Sequence, residues 1–337
     1  MRRLAFLLTA AWALVPQANA PQGLAAELDR IRAEASAATP EDQKAGPAAR
    51  LERAKMALDA GRPLLALYLF EVPWESAKAW TFVKSSSTVT TPEAFAKKWT
   101  SAGEPRPVPA SRARQRPVVV EAIASAAEAR GPTTYHASRP YSEDSGLAGG
   151  LYYLGESHAV MQFAAMARSL EWPAPVSAPP LRSLAPELSA LDTEMTTAYE
   201  TMDGAGHSTY IVASAALKQA RTLNDRGQYA GALLQYVLSR YVFAPLRGPA
   251  ALDATAERIA EARATLPAAS DHSIAELFLQ LADEGVSGTV PARRRGAAAV
   301  LEDVLPAYRG AIAAPSTTTT AMPAAQVTIT LVRWPFT

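Results

Sequence analysis

Residues 207–246, HSTYIVASAALKQARTLNDRGQYAGALLQYVLSRYVFAPL, decide how the chain reads: one helix, a break at Gly227, and a second helix. Glycine turns a chain through positive φ at little steric cost, which suits it to the corner of a helical hairpin. Ala232 is small enough to let the two helix backbones approach, and Tyr229 and Tyr236 supply rings to fill the space between neighbouring hairpins.

Working outward, the same design recurs earlier. Placing Gly61 on Gly227 aligns residues 50–71 with 216–237, so that Leu51, Ala54, Asp59, Ala66 and Leu67 fall on Leu217, Ala220, Asp225, Ala232 and Leu233. Ala220, Gly227, Tyr229, Ala232 and Tyr236 stand where the tetratricopeptide repeat has its small residue, turn glycine, tyrosine, alanine and aromatic. The hairpin therefore resembles that family. The earlier copy keeps Ala54, Gly61, Ala66 and Phe70 but has Pro63 in place of the tyrosine, and the family's first-helix Trp and terminal Pro are missing or displaced. The resemblance implies an all-α fold of antiparallel helical hairpins stacked as a superhelix, whose concave face binds peptides or proteins.

The remaining segments fit an all-α chain. Leu24, Leu28 and Ile31 form a helical stripe within 21–36, Thr39-Pro40-Glu41-Asp42 has the makings of a helix start, and Thr91 caps a helix over 92–101. Further helices are expected over 118–130, 147–170, 185–202, 252–266, 272–284 and 293–312, with Ser273 and Glu276 as a capping box. Two long loops interrupt them, GEPRPVPASRARQRP over 103–117 and GPTTYHASRPYSEDSG over 131–146. Loops of that length often carry function. The second, with Tyr135, Arg139 and Tyr141, is the expected contact surface for a partner, together with Trp334 near the C-terminus.

The expected organisation is a signal peptide (1–20), an N-terminal helical lobe (21–172), a Pro-rich connector (173–182), a C-terminal helical lobe (183–312), a low-complexity linker (313–326) and a strand-like tail (327–337). In that tail, which is expected to be flexible, Val327, Ile329 and Leu331 alternate with threonines, the pattern of a strand that needs something to dock on.

Composition narrows the function. The chain has 337 residues, 49% hydrophobic and 19% charged, with net charge +1 and mean hydropathy −0.03, a globular balance able to bury a core. Arg2 and Arg3, an apolar run from Leu4 to Val15 and Ala18-Asn19-Ala20 are the parts of a cleaved secretory signal. The run is shorter than a bilayer-spanning helix, and no later segment is longer, so no transmembrane segment is expected in the mature chain. With no cysteine anywhere, lipoprotein anchoring, disulfides and thiolate metal sites are excluded. These features point to the bacterial periplasm or the exterior. A near-neutral chain has no field for nucleic acid, and the clusters Arg112, Arg114, Arg116 and Arg293–Arg295 read as solvated surface.

Motifs for chemistry are few. Gly155-Glu156-Ser157-His158-Ala159 approaches the G-x-S-x-G nucleophile elbow, but that motif needs a parallel sheet that the sequence does not offer. Glu156-Ser157 followed by Met161-Gln162 is similar to the Glu-Ser and Gly-Leu-Met-Gln elements of lytic transglycosylases, compressed here into one helix. That resemblance implies, as the alternative function, a secreted glycan-directed cell-wall hydrolase or lyase using Glu156. The histidines at 136, 158, 207 and 272 are unpaired, and no nucleotide or calcium motif occurs, so no metal, cofactor or catalytic set is expected. The leading expectation is a non-enzymatic exported helical-repeat protein that scaffolds or binds a protein or peptide in the cell envelope.

Overall fold

The computed structural model describes residues 21–108, 115–144, 146–173, 176–202, 204–248 and 253–313. The signal segment, the strand-like tail with Trp334, Arg112 and Arg114 lie outside them. Among the described residues every named element is helical, and no helix is long and apolar enough to cross a membrane. The elements are α1 (Leu24–Ala38), α2 (Ala45–Asp59), α3 (Pro63–Ser85), α4 (Pro92–Ala102), α5 (Val118–Asp144), α6 (Gly146–Ser169), α7 (Ala185–Thr201), α8 (His207–Asp225), α9 (Tyr229–Phe243), α10 (Ala256–Ala264), α11 (Ser273–Ser287), α12 (Pro291–Ala299) and α13 (Leu305–Ile312).

The two glycine-turned hairpins, α2–α3 and α8–α9, share their corner bond for bond. Gly61 has φ 72° and Gly227 φ 70°. Arg62 N donates to Ala57 O at 2.8 Å and Gly61 N to Leu58 O at 3.0 Å; in the other copy Gln228 N donates to Leu223 O at 2.9 Å and Gly227 N to Asn224 O at 3.0 Å. These reversed bonds satisfy helix-end carbonyls, which is what a left-handed glycine permits. Ala54, Ala66, Ala220 and Ala232 are all fully buried, and Phe70 and Tyr236 occupy equivalent buried positions.

Between these hairpins stands a third pair. The helices α5 and α6 pack along each other, α3 lies on α6, and α9 lies on α5. One continuous core follows, running from Leu24 to Ala311, with Phe70, Trp74 and Phe163 meeting edge to face at 5.7, 6.4 and 6.1 Å. Bonds also join residues on either side of the Pro-rich connector: Arg53 grips Glu284 through two bonds of 2.7 and 2.5 Å, Leu65 N donates to Gln280 Oε1 at 3.0 Å, and Gln219 Nε2 donates to Ala126 O at 2.6 Å.

Four local expectations are corrected. Residues 131–144 are not a loop: they continue α5 to Asp144 through Pro132 and Pro140. Glu128, Gly131, Tyr135 and Ser138, spaced by three and four, are buried, so packing on α6 overrides the poor local propensity. Thr39 ends α1, and Glu41–Gln43 form only a short 3₁₀ turn. The Ser273–Glu276 capping box is not made. Instead Asp271 caps two helices, accepting from Val118 N at 2.7 Å and Ser273 N at 2.8 Å, while Ser273 Oγ accepts from Val119 N at 2.9 Å. The last helical run is also broken by a π-helical turn over Val300–Val304. It precedes Pro306, which has no N–H to continue the regular ladder.

Candidate functional site

Because α5 extends to Asp144, Tyr135, Arg139 and Tyr141 stand on its last turns, next to α4 and the start of α6. Each has a different role there. Tyr135 is buried, its ring stacked on Trp99 at 4.4 Å and 18°. The Trp99 indole N–H donates to Tyr135 O and the Tyr135 hydroxyl donates to Trp99 O, both at 3.2 Å. Burial pushes the Tyr135 phenol up, and the nearby Glu104 charge adds to it. This residue locks α4 to α5. Arg139 is exposed, its guanidinium carbon 5.7 Å from the centre of the Trp99 ring. Tyr141 is 38% exposed and stacked on Tyr153 at 4.1 Å.

Of the three, Arg139 lines a cavity of about 540 Å³ between α4, α5 and the first turn of α6, whose wall also includes Phe95, Trp99, Ser142, Glu143 and Leu147. Its α4 wall starts where the sequence dictates: Thr91 Oγ accepts from Ala94 N at 3.2 Å and Pro92 takes the first helical position. Hydrogen bonds from its own backbone amide and from Thr91 hold the Glu93 carboxyl below the usual range. Of its lining residues, Phe95 is buried and Trp99 half-buried.

A band of rings continues over α6. Trp80 meets Tyr152 at 5.1 Å, and Tyr152 meets Tyr153 at 5.7 Å and 88°. Burial pushes the Tyr152 phenol up to about 12, partly offset by a hydrogen bond to Ser76. Beneath it, Arg130 donates to Glu71 at 2.6 Å and to Glu75 at 2.5 Å. Burial pushes Glu75 up to about 8 in spite of Arg130, with Glu71 and Glu156 adding to the rise. Burial also raises Glu156, and Arg130 opposes it. A half-buried, protonatable carboxyl beside aromatic rings is thus present at Glu156, although it lines neither of the two cavities described.

Ser157 is fully buried mid-helix, its Oγ donating to Leu154 O at 2.7 Å. That is the ordinary back-bond of a helical serine, and the strand that a nucleophile elbow requires is absent among the described residues. The histidines stay apart: His136 lies 3.5 Å from Glu104, His272 Nδ1 is 2.9 Å from the Tyr308 hydroxyl, and burial lowers the His158 imidazole beside the Gly103 backbone. No group of three or more potential metal ligands occurs among the described residues.

The sequence did not single out a second cavity of about 510 Å³, lined among others by Arg247, Arg295, Glu302 and Asp303. At its base Asp303 of the π-turn accepts from Arg240 and Arg247, and Arg247 also pairs with Glu194. This network ties α7 and α9 to the last helical run. Its charges are mutually satisfied.

No family model matches this chain, and neither a curated protein nor a solved structure shows significant similarity to it.

Proposed function

We propose that this chain is an exported, non-enzymatic helical scaffold that binds a protein or peptide partner in the bacterial periplasm through the groove between α4, α5 and α6. The observation that carries the proposal is the groove itself. Phe95 and Leu147 give it apolar lining, and Trp99 and an exposed Arg139, whose guanidinium lies 5.7 Å from the Trp99 ring, line it as well. Aromatic rings and arginine are the side chains that most often anchor protein interfaces: the rings offer large area with few rotatable bonds, and the guanidinium offers a planar, charged set of donors that stacks on rings. The paired glycine corners on either side of α5–α6 support a tetratricopeptide-like stacking of the hairpins. The N-terminal cationic, apolar and A-x-A pattern supports export.

The test is capture from envelope extracts by the full chain. A partner retained by wild type and by Lys97→Ala, an exposed position of α4 outside the groove lining, and lost with Arg139→Glu supports the proposal. Equal capture by all three proteins refutes it.

A second reading, a glycan-directed hydrolase or lyase using Glu156, is favoured by one observation: burial raises that carboxyl next to the Tyr152 and Tyr153 rings. A general acid needs such a raised pKa. Release of fragments from purified cell wall, abolished by Glu156→Gln, supports this reading. A wild type that releases none removes it.

A further inference from the structure

The outer face of α7 and α8 carries an uncovered apolar patch. Ile211 and Val212 are 53% and 55% exposed, and Tyr199 on α7 is 47% exposed with its ring 4.7 Å from that of Tyr210. The opposite side of α8 is the one that packs, through Ala213, Leu217 and Ala220. Adjacent β-branched residues on the solvent side of a helix do not favour the helix and gain nothing from water. A clustered exposed apolar patch of this kind marks a surface that something covers.

Charge and reach say what. Helix α7 carries no lysine or arginine; of its acids Glu187, Asp192 and Glu194 pair with Arg182, Arg221 and Arg247, while Glu200 is exposed near Tyr199, and Arg333 is the one charged side chain in 314–337. The described chain leaves α13 beside the start of α7: Arg182 is 3.4 Å from Gly310 O and 2.5 Å from Glu187. From Glu187 to Tyr199 along α7 is about 18 Å at the helical rise. The thirteen residues 314–326 span up to about 43 Å when extended. The segment beyond them therefore reaches the patch with slack.

We infer that residues 327–337, VTITLVRWPFT, dock on this chain's own α7–α8 face. Val327, Ile329 and Leu331 share one side of the segment and meet Ile211, Val212 and Tyr199, while Arg333 faces the exposed Glu200 of α7. Because no strand exists among the described residues to extend, side chains rather than backbone pairing carry the contact. Trp334 then belongs to an internal contact, one independent of the α4–α6 groove.

The absence of cysteine gives a clean test. In the full chain, Val212→Cys is labelled with a maleimide reagent, with the tail either native or carrying Ile329→Asp and Leu331→Asp. Docking predicts labelling at least roughly tenfold slower with the native tail, the ratio that corresponds to about 1.4 kcal/mol in favour of the docked state. The rates should not depend on protein concentration, and a Lys97→Cys control on α4 should label alike with either tail. Equal rates at Val212→Cys overturn the inference. So does protection that survives the tail substitutions or grows with concentration, since a second copy would then be the occupant.

Discussion

Trp99 and Tyr135 hold each other twice: each donates its side-chain proton to the other's backbone carbonyl at 3.2 Å, with the rings stacked between the bonds at 4.4 Å. A short helix, α4, is thereby fixed to the end of a long one, and the groove has a rigid wall. Tyr135→Phe removes one of the bonds and should cost about 1 kcal/mol of stability. Trp99→Ala removes the indole's bond and the ring, while the backbone carbonyl at position 99 stays as an acceptor for Tyr135; the loss is about 3 kcal/mol. Chemical denaturation measures both losses. Equal stability of the Trp99→Ala protein and the wild type would show that α4 is not held in this way.

The raised Glu75 makes stability depend on pH. Its carboxyl is pushed up to about 8 in the folded chain, so between about pH 4.5 and 8 the folded state holds a proton that the unfolded state has released. Stability linked to this group is fully present below about pH 4.5 and is lost as pH rises through about 8. Glu75→Gln mimics the protonated form. Its melting temperature should match that of wild type near pH 5 and exceed it at pH 9, and parallel curves for the two proteins over that range would contradict the assignment.

The two hairpin corners should respond alike to a side chain. Gly61→Ala and Gly227→Ala force alanine into φ near +70° and should each destabilise by about 1–2 kcal/mol. Gly46→Ala is the contrast. That glycine lies in α2 with ordinary φ and open space around it, so alanine should stabilise by up to about 1 kcal/mol. Urea titration distinguishes the two behaviours, and a neutral Gly227→Ala would mean that the corner relaxes.

Asp271 accepts from the first amides of both α5 and α11, so Asp271→Ala strips two caps at once. The expected loss is about 2 kcal/mol, against about 1 kcal/mol for Ser273→Ala, which removes one. Equal losses would show that the shared carboxylate adds nothing over a single cap.

What the sequence disclosed, and what it hid, follows from the range of the interactions. The hairpins at Gly61 and Gly227 were legible because glycine, alanine and proline act within a few residues of themselves. The second half of α5 was not, because GPTTYHASRPYSED is a poor helix on its own and is held by α6, and Tyr135 is the one large apolar residue in its buried stripe. The spacing of Gly131, Tyr135 and Ser138 was the available signal. In sequence Tyr135, Arg139 and Tyr141 read as residues of a loop. In the structure they sit beside Trp99, whose bonds to Tyr135 cross 36 positions of sequence, a relation that no local pattern carries. The Glu71–Glu75–Arg130–Glu156 cluster was likewise hidden, since it needs α3, α5 and α6 brought together.

The central claim is that the groove between α4, α5 and α6 contacts a partner. A photo-crosslinking amino acid placed at Glu143, an exposed position of the groove lining, in the full chain expressed in bacteria tests it directly, with Met56 on α2, 69% exposed, as the control position. The account predicts a discrete cross-linked species from position 143 that is absent from position 56 and disappears with Arg139→Glu. The same cross-links from both positions, or a position 143 product indifferent to Arg139→Glu, would contradict it.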